Sequence, residues 1–205
     1  VGHPVILLGH SHVALVALTA AAQHPAMVHR LILLTLPLAR QELVAGWIDR
    51  LARGVESLVA TPLLLRPLFL VVRRPGVIRK ALTSIYQTPD RVDDELVELF
   101  TRPTLERGAA RTLCYLVKSR TQPEFSDNTA DLIHQVSAPI LLLWGTQDKV
   151  LPTAWADQIL TSNPPITYRA IEGAGHCLYD EVPDVVNGEI QSWLSSLSQT
   201  LTPPL

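Results

Sequence analysis

The chain is poor in charged residues, in cysteine and in long apolar runs, and each scarcity excludes a class of protein. Only 18% of its 205 residues are charged while 47% are hydrophobic, so it is not an intrinsically disordered chain. Its two cysteines, Cys114 and Cys177, are too few for a disulfide scaffold and predict a reducing, cytoplasmic location. No uninterrupted apolar run approaches the ~20 residues that a membrane-spanning helix needs. The net charge of −2 gives no reason to expect a nucleic acid as partner.

Alternating strand and helix signals occupy both ends of the chain, and a long helical region broken by prolines separates them. Short, continuous apolar runs are typical of strands that are buried on both faces of a parallel sheet. The sequence therefore predicts an α/β core at 1–37 and 138–205 with a helical cap inserted at 38–137. The predicted elements of the core are strands at 4–9, 31–35, 139–144 and 166–171 and helices at 13–23, 153–161 and 183–197.

The beginning of the chain leads directly into the first predicted strand. The first residue is Val1, and no signal peptide with a charged head and an apolar stretch is visible. We therefore expect a fragment whose N-terminus lies upstream, with the first strands of its sheet outside the chain.

A serine follows the first predicted strand, where the strand turns into a helix. Gly9-His10-Ser11-His12-Val13 matches the G-x-S-x-G nucleophile motif in its first four positions, with valine in the fifth. A β-branched residue resists a positive φ angle, so Val13 predicts either a misplaced serine or a helical start that tolerates it. The helix N-terminus favours negative charge, and the amide of His12 is the one oxyanion donor that the sequence identifies. Taken alone, Ser11 is more simply explained as a helix cap.

Two further polar residues follow later strands in the same way. Asp148 ends the segment 144–148, and His176 lies in the glycine-containing segment 173–177. Sites in open α/β sheets lie along the edge where the carboxyl ends of the strands meet. A hydroxyl nucleophile needs a base and the base needs an orienting acid, so the order Ser11, Asp148, His176 predicts a catalytic triad.

On these residues the chain resembles the α/β-hydrolase superfamily along nearly its whole length. Residues 5–11 look like the strand into the nucleophile elbow, 139–148 like the strand and turn that carry the acid, and 173–176 like the histidine loop. Residues 175–187, with Cys after His, then Asp-Glu-x-Pro and Val-Asn, are similar to the plant and cyanobacterial pheophytinase and chlorophyll-dephytylase group. The stretch 92–97 also looks like that group.

The resemblance implies that the parent enzyme hydrolyses a carboxylic ester of a hydrophobic small molecule, with a phytyl ester of a chlorophyll pigment as one candidate. In the implied mechanism Ser11 attacks the carbonyl, His176 moves the proton, Asp148 orients His176, and the His12 amide holds the oxyanion. It also implies a partial sheet, because the family's first strands and their second oxyanion donor lie outside this chain. Two alternatives stay open: a catalytically impaired homologue or fragment that binds a ligand or partner, and haloperoxidase-, thioesterase- or lyase-type chemistry on the same fold.

The remaining polar residues near these segments predict no metal site and no cofactor. His10 and His12 flank the serine, but no carboxylate or cysteine completes a recognisable ligand spacing. Asp180 and Glu181 could replace Asp148 as the acid, although the position of Asp148 at a strand end is the better context.

One stretch of the cap raises the question of a membrane surface. Between Glu56 and Asp90 the chain has no acidic residue. One interpretation is a face that makes weak contact with an anionic membrane and admits a lipid-like substrate. The other, which we favour from sequence alone, is a core-packing helix with solvated basic ends. The basic residues of the stretch are Arg66, Arg73, Arg74, Arg79 and Lys80.

Overall fold

The computed structural model of the protein describes residues 3–43, 46–122, 127–162 and 166–199. Two 3₁₀ turns, Pro25–Met27 and Pro89–Arg91, accompany the regular elements. In chain order the strands and helices are β1 (Val5–His10), α1 (His12–Gln23), β2 (Val28–Leu34), α2 (Arg40–Leu43), α3 (Gly46–Val59), α4 (Pro62–Val72), α5 (Pro75–Ile85), α6 (Asp94–Leu105), α7 (Ala109–Ser119), α8 (Thr129–Gln135), β3 (Ile140–Gly145), α9 (Ala154–Ser162), β4 (Ile166–Ile171), α10 (Leu178–Glu181) and α11 (Pro183–Gln199).

The chain divides into two units, and the first consists of Val1–Pro37 and Thr129–Leu205. Its four described strands pair in parallel in the order β1, β2, β3, β4. The strand β3 is buried along its whole length, because helices cover a parallel sheet on both faces. Helix α1 packs against β1 and β2, and α11 contributes Trp193 to a core cluster with apolar residues of β2 and β3. The predicted α/β class with a parallel sheet is confirmed.

The ends of the strands are aligned by their register. His10 pairs with Leu34, and Gly145 pairs with Ile171, so the carboxyl ends of β1 to β4 lie along one edge. At the side of the sheet, β1 pairs with β2 alone among the described residues, and its Leu8 side chain is exposed. This is the partial sheet that the resemblance implied.

The predicted and observed elements differ most at β2. The strand starts at Val28, before the predicted run at 31–35, because His29 and Arg30 conceal its beginning in a hydrophobicity pattern. Arg30 is nevertheless buried, and its guanidinium donates a hydrogen bond to the carbonyl of Leu194 in α11 at 3.1 Å. The pairing of this cation with a backbone carbonyl makes its burial tolerable.

The second unit, Leu38–Asn128, contains only helices and turns among its described residues. Pro62 and Pro75 begin α4 and α5, where the missing proline N–H would have no partner within the helix anyway. The unit ends at Asn128 rather than at the expected residue 137, because α8 packs against α1 of the first unit. The role of the helical unit as a cap stays a prediction.

Within the described residues, no single helix combines the length and the apolar character that crossing a bilayer requires. The required length and apolar character are reached only by a pair of segments taken together, Asp49–Ser57 and Pro62–Val72, and the chain bends by 84° between them.

Candidate active site

Ser11 lies in the turn between β1 and α1, in a backbone conformation that few residues with a side chain adopt. Its φ angle is 52° and its ψ angle is −124°. The Ser11 amide donates to the carbonyl of Leu34 at the end of β2 (2.8 Å), and its carbonyl accepts from the amide of Ala14 (2.9 Å). These two hydrogen bonds hold the strained turn, whose geometry is typical of a nucleophile elbow.

The close contact at this turn depends on Gly9 and not on a glycine at position 13. A Cβ atom on Gly9 would lie 2.6 Å from the carbonyl oxygen of Val13 and 2.7 Å from the Cα of Ala14. Val13 itself belongs to α1, and its side chain is 58% exposed. Of the two interpretations left open by the sequence, the structure agrees with the helical start that tolerates Val13.

The three side chains expected to form the triad lie in hydrogen-bond contact. His176 Nε2 is 3.1 Å from Ser11 Oγ, and His176 Nδ1 is 2.9 Å from Asp148 Oδ2. A carboxylate can only accept a hydrogen bond, so Nδ1 carries the hydrogen and Nε2 of the neutral ring can accept from the serine hydroxyl. The arrangement can therefore move a proton from the Ser11 hydroxyl to the imidazole.

Asp148 is held by the backbone of its own turn. Its side chain is fully buried. One carboxylate oxygen accepts from the amides of Val150 (2.7 Å) and Leu151 (2.9 Å), and the other accepts from His176. These bonds satisfy a charge that would be unfavourable to bury alone, and they fix the direction in which it faces the imidazole.

The loop that carries His176 is joined to the turn that carries Asp148. The amide of Gln147 donates to the carbonyl of Ala174 at 3.0 Å. Glu181, which the sequence left as an alternative acid, is buried in another role: it accepts from the amide of Gly175 at 3.0 Å. Glu181 therefore braces the histidine loop, while Asp148 makes the contact with the imidazole.

His10 has a position in the site that the sequence does not predict, since the sequence suggests it only as a metal ligand. Its Nε2–H donates to the backbone carbonyl of His176 at 2.9 Å. Its ring centre lies 4.7 Å from that of His176 and 5.0 Å from that of Tyr179. Burial lowers the pKa of His10, and burial raises the pKa of Tyr179 to about 12, so both rings are neutral at pH 7. His10, next to Ser11, thus ties the turn between β1 and α1 to the histidine loop.

We expect His10→Gln to flatten the dependence of stability on pH. The pKa of His10 is lower in the folded protein than in the unfolded chain, so the unfolded chain binds this proton more readily. Stability should therefore fall as the pH drops below about 6.5, by at most about 1.4 kcal/mol per pH unit for one proton. Urea unfolding at pH 5.5 and 7.5 measures the change in both proteins. Equal changes in the wild type and His10→Gln would contradict the burial of a neutral His10.

Helix α1 begins at His12, directly after the serine. The first amides of a helix carry partial positive charge, so an oxyanion bound beside Ser11 would be stabilised there. No group of three or more His, Cys, Asp or Glu side chains that could hold a metal ion is found in the described part of the chain.

A parallel sheet with a strained serine elbow after one strand, an acid after another and a histidine loop after a third defines the class of the α/β hydrolases. The family model described as the alpha/beta hydrolase family matches residues 1–189. The chain therefore belongs to this family, as the sequence motifs indicated.

Known relatives show the same relationship over most of the chain. The chain is 27% identical over 208 residues to the chloroplastic pheophytinase of Arabidopsis thaliana, covering 96% of this chain and 42% of that protein. It is also 27% identical over 205 residues to the monoglyceride lipase of Homo sapiens, covering 97% of this chain and 61% of that protein. The chain thus spans less than two thirds of the length of either relative.

A solved structure shows the likeness of fold independently. A thermophilic esterase from Thermogutta terrifontis matches with a TM-score of 0.68 at 21% identity, covering 95% of this chain and 65% of that one. Lipase- and esterase-type proteins are therefore among the relatives and structural neighbours of this α/β hydrolase.

Proposed function

We propose that the protein is a serine-dependent hydrolase of carboxylic esters. The observation that carries the proposal is the hydrogen-bonded chain from Ser11 Oγ through the His176 imidazole to the buried Asp148 carboxylate. The strained backbone of Ser11 and its place before the N-terminus of α1 support the same assignment. Neither feature is needed if Ser11 merely caps the helix, and its side chain makes no capping hydrogen bond.

The geometry leads to a two-stage mechanism. Ser11 Oγ attacks the ester carbonyl while His176 Nε2 takes its proton, and Asp148 stabilises the imidazolium that forms. The carbonyl oxygen becomes an oxyanion beside the His12 amide at the start of α1. When the intermediate collapses, the C–O bond to the alcohol breaks and His176 returns the proton to the departing alcohol. Water, deprotonated by His176, then attacks the acyl carbon, the bond from that carbon to Ser11 Oγ breaks, and His176 returns the proton to Ser11 Oγ as the acid leaves.

The substrate that we propose is a hydrophobic ester, with a phytyl ester as the first candidate. The support is the likeness to the Arabidopsis pheophytinase and the motif that follows His176. The lipase and esterase names among the other relatives support the broader ester class.

The proposal predicts that the purified protein reacts with a fluorophosphonate probe and hydrolyses a phytyl ester faster than a methyl ester of the same acid. The probe requires an activated serine, because it is attacked by the same nucleophile as the ester. Chromatography of the released acid measures the rate of hydrolysis of each ester. If the probe labels the protein but the two esters are hydrolysed at equal rates, the assignment as a serine hydrolase stands and the preference for phytyl esters is rejected. Absence of labelling in a folded protein would favour the catalytically impaired homologue.

A further inference from the structure

Helix α4 presents an apolar face to water. Only Leu65 and Phe69 of this helix are buried, whereas Leu63 is 83% exposed. The core-packing interpretation that the sequence favoured therefore accounts for a single stripe of α4. The other apolar residues of α4 that the structure leaves exposed are Leu64, Leu68, Leu70, Val71 and Val72.

The helical period places these exposed residues on one broad surface. At 3.6 residues per turn, Leu63 and Leu70 lie two turns apart on the side opposite the buried Leu65 and Phe69. Leu64 and Leu68, one turn apart, lie on the other flank of the helix, roughly 100–160° around it from Leu63 and Leu70, and the exposed Val71 lies between the two pairs. We call the exposed leucines Leu63, Leu64, Leu68 and Leu70 the α4 leucine face. A contiguous exposed apolar surface of this kind marks an interaction site more often than an inert surface.

The charges around the α4 leucine face have one sign. No acidic residue lies between Glu56 and Asp90, so neither α4 nor α5 contributes a negative charge. Arg66, Arg74 and Lys80 are exposed, and none of the ion pairs within the described residues involves them. A partner that fits this surface is apolar where it meets the leucines and anionic around them.

We propose that the protein docks on an anionic lipid bilayer through the α4 leucine face. A bilayer offers acyl chains to the leucines and lipid phosphates to the flanking arginines and lysine, which is the pattern of a helix that lies in a membrane interface. The leucine face carries no hydrogen-bonding side chain, and a bilayer needs no matching polar group there. This inference concerns the helical unit and does not depend on the proposed esterase chemistry.

Sedimentation with phospholipid vesicles tests the proposal on the purified protein. We expect more protein on vesicles of phosphatidylcholine mixed with phosphatidylglycerol than on phosphatidylcholine alone, and less as the salt concentration rises. Leu63→Ser/Leu70→Ser should weaken partitioning about tenfold or more, because two leucines no longer enter the apolar layer. Leu99→Ser/Leu105→Ser is the matched control, since both leucines are exposed on α6 and lie outside the leucine face. This control should bind like the wild type.

The charged flank is tested by a second variant. Arg66→Gln/Arg74→Gln should reduce the preference for anionic vesicles by about fivefold for each charge removed. All exchanged positions are exposed, so circular dichroism should show folded variants. Equal recovery on neutral and anionic vesicles, or undiminished binding of Leu63→Ser/Leu70→Ser, would overturn the proposal. The proposal would also be overturned if the protein bound no vesicles and formed a dimer without lipid that Leu63→Ser/Leu70→Ser abolishes. A second copy of the chain would then cover the α4 leucine face.

Discussion

Ser11→Ala should abolish fluorophosphonate labelling and lower ester turnover by about 10⁴-fold or more, as expected when the nucleophile of a triad is removed. The hydroxyl oxygen is the one heavy atom that the variant lacks, and it lies 3.1 Å from His176 Nε2. The backbone bonds that hold the elbow, to Leu34 and Ala14, do not involve the side chain and should persist. Stability should therefore change by no more than about 0.5 kcal/mol.

Ser84→Ala provides the matched control for the loss of a hydroxyl group. Ser84 is exposed on α5, and its hydroxyl donates to the carbonyl of Ala81 one turn earlier. This variant should keep wild-type labelling and turnover. Unchanged labelling of Ser11→Ala would place the nucleophile elsewhere. A wild type that is folded but never labelled would show that the strained elbow alone does not activate the serine.

The residues Ser11, Asp148 and His176 could be predicted together because the fold brings distant strand ends to one edge. Each follows its own apolar run, and a parallel sheet aligns the carboxyl ends of those runs whatever the length of chain between them. The sequence could predict this edge from local patterns alone. The distances from Ser11 through His176 to Asp148 are set by loop geometry, which local patterns do not determine.

The contacts that brace the site follow from packing between loops and could not be predicted. The bond from His10 to the carbonyl of His176 joins residues 166 positions apart, and no local pattern announces it. Gly9 ends a predicted strand, yet the need for glycine arises where this residue meets the backbone of Val13 and Ala14. Such close approaches become visible only when the two elements are placed together.

Helix α4 shows a different limit of the hydrophobic pattern. Apolar residues occupy both its buried stripe and its outward face, so the helical period gives no sign of which side meets the core. Hydrophobicity alone favours burial, and it therefore predicts a helix that packs in the core. The exposure of Leu63 instead depends on which neighbouring helices lie beside α4, and that is a property of the tertiary arrangement.

Adding one methyl group at Gly145 should destabilise the first unit by about 3 kcal/mol or more, at the upper end of overpacking effects. A Cβ atom there would lie 2.3 Å from the carbonyl oxygen of Gly175 and 2.4 Å from that of Ala174. Both are backbone atoms, so no side chain can rotate away to relieve the clash. Gly145 is also the last residue of β3, paired with Ile171, so the strand cannot withdraw without breaking the sheet. Urea unfolding of Gly145→Ala measures the loss.

Gly188→Ala is the control, because a Cβ atom at Gly188 of α11 would meet no atom within 4 Å. An alanine in the interior of a helix should raise stability by about 0.5–1 kcal/mol. The two exchanges add the same methyl group. Stability changes of opposite sign would therefore assign the loss of stability in Gly145→Ala to the contact with the histidine loop. Equal stability of Gly145→Ala and the wild type would instead show that the loop moves aside at little cost.

The exchange Gly145→Ala should also affect the candidate active site. His176 follows Gly175 directly, so a loop pushed away from β3 carries the imidazole away from Asp148, to which it is bound at 2.9 Å. A displacement of about 1 Å at a catalytic group can lower turnover about 100-fold. We therefore expect the labelling rate of folded Gly145→Ala to fall far below that of folded Gly188→Ala. A normal rate per folded molecule would mean that His10 and Glu181 hold the loop in place without the contact at Gly145.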